Sequence, residues 1–488
     1  MIMSITMPPS KKGVTRRGFL TVAISAIVAG VVSGIGSYYA GLLGAPAQTV
    51  TVAGPERTIT MTTTVTTTVT SPAKPAPEYF VVGLVGPLTG PAADWGRDFL
   101  DGATLAVEKI NREGGVYVRE FGKKIPIKLT VGDDKNSVTE CLTAVKRLIA
   151  EKVDVLVGPI SSAAMYAVQP LIVEAGIPYI FIGVSILSTT RKDIDTWNTF
   201  HYQATPHAHQ AASCMFLTKV FKPKLKLDRK VRLVVLMQDS PVGQGHKEAL
   251  EMLLKARHDI SKDLEVVEFV PYPVAETTFH PYLLKCKEAK PDVVYIAGHI
   301  TEVAAALIQG LRDVKLNTLY IAEPCCEDWG YYRLVGKWGD RQCLLGIPMT
   351  TVKPPPTDHH AKFVEEFEKR FGYTPGIFAI CGHDPILIFK DAVERVGSLD
   401  KRAIIAGLHS TDLPQLGFMI KGGRLRFTDI ALDAGWPEPI PRSIWVEEAM
   451  LQQFWDEKEG IAKPYIVYHP TLKAQKEFEL PPGYTTYY

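Results

Sequence analysis

Gly83-Leu84-Val85-Gly86-Pro87-Leu88-Thr89-Gly90-Pro91 runs on into Ala92-Ala93-Asp94-Trp95-Gly96. A short apolar strand ends in a loop rich in glycine and proline. An amphipathic helix follows, with Phe99, Ala103, Ala106, Val107 and Ile110 on one face. It closes at Asn111-Arg112-Glu113-Gly114-Gly115-Val116, where paired glycines end a helix readily. A strand that delivers a loop to a helix N-terminus is the unit from which open α/β sheets build ligand clefts.

The unit recurs along the chain. Apolar runs at 80–85, 127–131, 153–157, 179–182, 232–237, 266–270, 293–297 and 318–321 are continuous rather than alternating, as expected of parallel strands buried on both faces. Helices are expected between them at 163–174, 245–257, 281–289, 302–312, 359–371 and 384–396. Ser137-Val138-Thr139-Glu140 reads as a capping box opening another. Strands alternating with helices of this length imply right-handed βαβ units. At 488 residues the chain exceeds one ordinary doubly wound sheet, so two lobes are expected.

The N-terminal part is different. Lys11, Lys12, Arg16 and Arg17 precede an uncharged run from Gly18 to Ala47. As a helix this run would be roughly 40 Å long, enough to span a hydrocarbon core of roughly 30 Å. Thr15-Arg16-Arg17-Gly18-Phe19-Leu20 looks like a twin-arginine export motif, and Ala45-Pro46-Ala47 has the small-x-small shape of a cleavage site. Residues 1–47 therefore read as an export signal or an uncleaved membrane anchor, with the body of the chain outside the membrane. Residues 48–78 are rich in Thr and Pro, poor in large apolar side chains, and read as a stalk.

Composition narrows the function classes. A net charge of +2 gives no case for nucleic acid. The seven cysteines include Cys325-Cys326, Cys343 and Cys381, and their spacing matches no zinc site, so neither a metal nor a cofactor is expected. Gly243-Gln244-Gly245 after a strand faintly resembles a dinucleotide loop, but Glu248 stands where the last glycine belongs. There is no Gly-x-Ser-x-Gly elbow, Walker loop or His-Glu-x-x-His, so catalysis is not expected.

Several fragments fall in a telling order: Gly86-Pro87-Leu88-Thr89-Gly90-Pro91, Ile110-Asn111-Arg112-Glu113-Gly114-Gly115-Val116, Gly132-Asp133-Asp134, Val157-Gly158-Pro159-Ile160-Ser161-Ser162, Ala175-Gly176-Ile177-Pro178, Gln238-Asp239-Ser240-Pro241-Val242-Gly243-Gln244-Gly245 and Lys290-Pro291-Asp292-Val293-Val294-Tyr295. Together they resemble the extracellular solute-binding proteins of branched-chain amino acid type ABC transporters, over roughly residues 79–427. The resemblance implies a type I periplasmic binding protein fold: α/β, two Rossmann-like lobes, three crossover strands, and a ligand clamped between the lobes. It divides the chain into lobe 1 (79–205 and 350–425) and lobe 2 (206–349 and 426–488, with a long C-terminal extension carrying Trp436, Trp445 and Trp455).

The resemblance also nominates ligand contacts. Ser161 and Ser162 open a helix whose free N–H groups and dipole favour an anion, and the family holds a ligand carboxylate there, with Ser162 the better match. One of them could equally be a plain N-cap. Val184 and Ser185 follow the next strand and inherit a contact role, and Trp95 matches a covering aromatic. Val242 stands where leucine-type binders commonly carry a tyrosine, and His299 where another aromatic is common. Cys325 falls where amino acid binders have the acid that pairs with the ligand's ammonium; Glu323 shares its face if the strand continues, and Glu327 is a weaker candidate. His299 and His383 also read as ordinary satisfied histidines, while His207, His209, His359 and His360 read as surface residues of helices.

The expectation is an extracellular protein that captures an amino acid or related small carboxylate or amide and presents it to the permease and ATPase subunits of an ABC importer. A cell-surface ligand sensor on the same fold is the alternative, and an enzyme a remote third.

Overall fold

The computed structural model describes residues 48–54, 57–63, 75–323, 329–346, 352, 354–427 and 440–486. The signal or anchor segment 1–47, most of the stalk, Cys325, Cys326, Glu327 and Trp436 lie outside the described residues. Among the described residues no helix is long and apolar enough to cross a membrane. The chain divides into two compact units, Met1–Pro75 and Ala76–Tyr488. In the first, Gln48–Gly54 and Arg57–Thr63 pair as antiparallel strands, Gln48 opposite Thr63.

Among its described residues the second unit holds two small antiparallel pairs, Val116–Val118 with Lys123–Ile125 and Leu413–Pro414 with Arg424–Leu425, and two large sheets. One contains β1 (Phe80–Gly86), β2 (Ile127–Asp133), β3 (Val155–Val157), β4 (Tyr179–Phe181) and β5 (Thr199–His201), all parallel, in the order β2-β1-β3-β4-β5. Side chains alternate across it. Phe80, Val82 and Leu84 face a core with Phe99 and Phe389, whereas Val85, Leu156 and Phe181 face Met165 and Val168 on the other side.

The other sheet contains β6 (Val231–Gln238), β7 (Leu264–Tyr272), β8 (Val293–Ala297), β9 (Leu319–Glu323), β10 (Cys343–Gly346), β11 (Met450–Asp456) and β12 (Ile461–Tyr468), in the order β7-β6-β8-β9-β10-β11-β12. Its first five members are parallel, and the C-terminal hairpin β11–β12 joins antiparallel beside β10. The chain passes between the sheets after β5, after β10 and before β11. Two of these crossings touch: His201 bridges Ser443 in parallel, and Ile420 bridges Val446 antiparallel.

The opening loop is held by the aspartate that ends β2. Asp133 accepts the N–H of Leu88 at 2.9 Å and the Thr89 hydroxyl at 2.6 Å. The helices Ala93–Arg112 and Ile377–Val396 cross in close contact where Gly102 faces Ala379 and Gly382 faces Phe99; a methyl group on either glycine would collide with the opposed carbonyl oxygen. Asp98 of the first helix then caps the second, accepting the N–H groups of Gly376 at 3.1 Å and Ala379 at 2.9 Å.

Two local expectations need correction. Ser137 does precede the helix Val138–Ala150, but its side chain makes no capping bond, and Glu140 pairs with Lys135 at 3.6 Å. The last long helix begins at Ile377 rather than near residue 384, with Pro385 inside it.

Candidate functional site

The C-terminal ends of strands from both sheets open onto one cavity of about 230 Å³. This is where doubly wound sheets place ligands. On the side of the first sheet, the loop after β3 contributes Ser161 and Ser162. The two serines divide the work. Ser161 is the N-cap of the helix Ser162–Glu174, its hydroxyl accepting the N–H of Ala164 at 3.3 Å. Ser162 is the first helical residue and lines the cavity, as does Ala163. The first turn carries no acidic residue, so its dipole is not neutralised locally.

Gly183 and Val184, after β4, form the adjoining wall. They are fixed from behind by His201 on β5, whose Nε2–H donates to Gly183 O at 2.6 Å while Nδ1 meets the Ser443 hydroxyl at 2.8 Å. Burial pushes the His201 pKa down to about 4, against the opposing pull of the Gly183 carbonyl. A neutral imidazole with its proton on Nε2 fits both contacts. This ring therefore links the cavity wall to two of the crossing segments.

The third part of this wall is aromatic. Trp95 and Phe378 line the cavity with ring centroids 5.3 Å apart. They come from the two helices locked at Gly102 and Gly382.

Across the cavity, β6 and β8 contribute Gln238, Val242 and His299. Glu302, buried below them, organises this wall. It accepts from Gln238 Nε2 at 2.7 Å, Tyr272 OH at 3.1 Å, Ala275 N at 2.7 Å and His299 N at 3.2 Å. A carboxylate so fully engaged orients its neighbours. Burial lowers the pKa of His299, with the Glu302 charge opposing, and its ring lies 5.9 Å from Trp95. The helix Pro241–Ala256 also starts here and has no acid in its first turn. Among the described residues that line the cavity there is no Asp, Glu, Lys or Arg. Its field comes from helix termini and neutral donors.

Trp95, Ser161, Ser162, Val184, Val242 and His299 are thus brought together. Ser185 is not among them: it is buried, and its hydroxyl accepts the N–H of Leu187, starting a short helical turn. Glu323 is not among them either. It is wholly buried at the end of β9, with Oε2 2.9 Å from His209 Nδ1. Cys325 lies outside the described residues.

The histidines expected at the surface are mostly inside: His207, His209 and His360 are buried, and only His359 is exposed. Gln203, Gln238 and Phe378 line the cavity without having been nominated. Gln238 stood in a quoted motif, whereas Gln203 and Phe378 carry no local signal.

A more open groove of about 550 Å³ continues outward from Trp95 and His299, and beyond it lies a depression of about 670 Å³ edged by Arg97, Arg333 and the tip of the β11–β12 hairpin. The latter is larger but polar and open, and lies away from the strand ends.

A family model described as periplasmic binding protein matches residues 80–428. Leu/Ile/Val-binding protein homolog 1 of Brucella abortus (strain 2308) is 24% identical over 326 residues, 66% of this chain and 80% of that protein. Among solved structures, the branched-chain amino acid transporter substrate-binding protein LivJ from Streptococcus pneumoniae, in complex with isoleucine, matches with a TM-score of 0.62 and 16% identity, covering 80% of this chain and 100% of that one. An ABC transporter solute-binding protein from R. palustris, in complex with benzoate, matches with a TM-score of 0.61 and 19% identity, covering 83% of this chain and 99% of that one. The matched family and these similar proteins are solute-binding proteins, not enzymes. The chain belongs to the periplasmic binding protein family and has the type I fold.

Proposed function

We propose that this protein captures a small monocarboxylate with an apolar or aromatic body and presents it to the permease and ATPase subunits of an ABC importer. The carrying observation is the lining of the cavity: an uncompensated helix N-terminus with a serine hydroxyl and an aromatic wall on one side, a second uncompensated helix N-terminus across from them, and no charged side chain among the described lining residues. The carboxylate sits on Ser162 Oγ and the first-turn N–H groups; the body of the ligand packs against Trp95, Phe378, Val184 and Val242.

An α-ammonium would meet no carboxylate among the described lining residues, and burying it unpaired is costly. This favours acids without an amino group over amino acids. The benzoate complex of a protein with the same fold is consistent with that choice.

The two lobes, 79–205 with 350–425 and 206–349 with 426–488, close on the ligand by bending at the crossings. Arg16-Arg17 and the apolar run behind it support twin-arginine export, with the run left as an anchor or removed. Replacing both arginines by lysine should hold the protein in the cytoplasm.

Calorimetry with benzoate, 4-methylpentanoate and L-leucine tests the ligand class. The two acids should bind about tenfold or more tightly than leucine. Tighter binding of leucine than of both would overturn the monocarboxylate reading. Deleting the gene should abolish uptake of the bound acid; intact uptake would point instead to a sensor.

A further inference from the structure

We propose that His209, Glu323 and Glu448 form a binding site for one divalent transition-metal ion of the zinc type, separate from the ligand cavity. The three side chains come from distant parts of the chain. His209 lies on the helix Pro206–Phe216, just after the first crossing between the sheets. Glu323 ends β9, and Glu448 lies just before β11, at the end of the last crossing. Their side chains converge: His209 Nδ1 is 2.9 Å from Glu323 Oε2 and 2.8 Å from Glu448 Oε1, and one potential ligand atom from each residue lies within 4.8 Å of the others.

Three observations distinguish this cluster from an ordinary ion pair. It is shut off from solvent, with His209 3%, Glu323 0% and Glu448 2% exposed. No Lys or Arg pairs with either carboxylate among the described residues, so two acids face a single imidazole. Even with His209 protonated, one negative charge would remain buried, and unpaired buried charge is expensive.

The carboxylate of Glu323 is also under-used. Its Oε1 has no hydrogen-bond partner among the described residues, although the side chain is directed into the cluster. The group fits only because residue 346 is glycine: a methyl group there would collide with the Glu323 carboxylate.

A divalent cation balances the charge if the imidazole is neutral, because two carboxylates then offset it completely. One nitrogen and two carboxylate oxygens are an ordinary zinc donor set. Donors about 2.1 Å from such an ion stand roughly 3.0–3.4 Å apart, so the two spacings from His209 Nδ1 to the carboxylates need to open by only a few tenths of an ångström. The competing occupant is a proton. Burial, together with the Glu323 charge, raises the Glu448 pKa to about 8 against the attraction of His209, which favours a shared proton when no metal is present. Bound metal would tie two crossing segments to the second sheet, acting on lobe closure without touching the ligand.

The test is the metal content of the intact chain, purified from zinc-supplemented medium and dialysed against EDTA. About one zinc per chain is expected, falling at least tenfold in the Glu323→Gln/Glu448→Gln double variant. Metal-free wild-type protein would overturn the proposal, as would equal metal content in a folded double variant. If that variant does not fold, cobalt-loaded wild-type protein decides. Visible d–d bands without a thiolate charge-transfer band support the site; a thiolate band or no cobalt uptake refutes it.

Discussion

The indole of Trp95 and the ring of Phe378 stand 5.3 Å apart at an angle of 39°, although 282 sequence positions separate them (378 − 95 − 1). Two helices from the same side of the first sheet carry them, and both rings face the cavity. If this pair is the apolar wall of the binding site, Trp95→Ala should weaken ligand binding by about 1–3 kcal/mol, the scale of a large apolar contact removed. Calorimetry reads this directly. An unchanged dissociation constant would remove Trp95 from the site.

The two serines should separate cleanly. Ser161→Ala removes the N-cap bond to Ala164 and should cost about 1 kcal/mol of stability, seen in denaturant unfolding. Ser162→Ala should leave unfolding nearly unchanged but weaken carboxylate binding by about 1–3 kcal/mol. The opposite pattern would reverse the roles assigned to them.

Gly102→Ala should destabilise the protein by about 3 kcal/mol or more, because the added methyl group meets backbone rather than a flexible side chain. Gly382→Ala should do the same from the facing helix. Urea unfolding measures both. A loss under about 1 kcal/mol would mean that the helices slide apart easily, and that the aromatic wall is not rigidly held.

Stability should fall as pH drops from 6.5 toward 4. Burial lowers the pKa of His201, His207 and His360 from 6.5 to about 4. Within that window the unfolded chain binds more protons than the folded one, so acid favours unfolding, by on the order of 3 kcal/mol at most for each group. Burial of Asp134, raised to about 6, and of Glu448, raised to about 8, acts in the opposite direction, because these groups take up protons more readily when folded. The histidines outnumber them. Melting temperature followed across the window should decline, and a rise would show that the raised carboxylates dominate.

Much of this was readable in the sequence because local chemistry and burial agree there. The run that became β1 is apolar at nearly every position and is buried on both faces. Ser161-Ser162 announced a helix start, and the helix begins at Ser162.

What escaped was decided by tertiary context. The strand β5 has three residues, Thr199 and His201 among them, and is too short and too polar to show a period. The helix Pro206–Phe216 is buried nearly all round, so it lacks the polar face and apolar stripe that would mark His207 and His209 as interior. That error carried over to Glu323. Strand parity placed it beside Cys325, but only a buried His209 reveals where its carboxylate points. Phe378 is an apolar residue among many at the start of its helix, and nothing nearby marks it as a lining residue.

The most direct test of the central claim is a crystal structure of the complex with whichever carboxylate binds most tightly. The ligand's carboxylate should lie about 3 Å from Ser162 Oγ and the Ala163 N–H, with its body against Trp95 and Phe378. A ligand seated instead in the charged depression beside Arg97 and Arg333, or with its carboxylate turned away from the Ser162 turn, would contradict it.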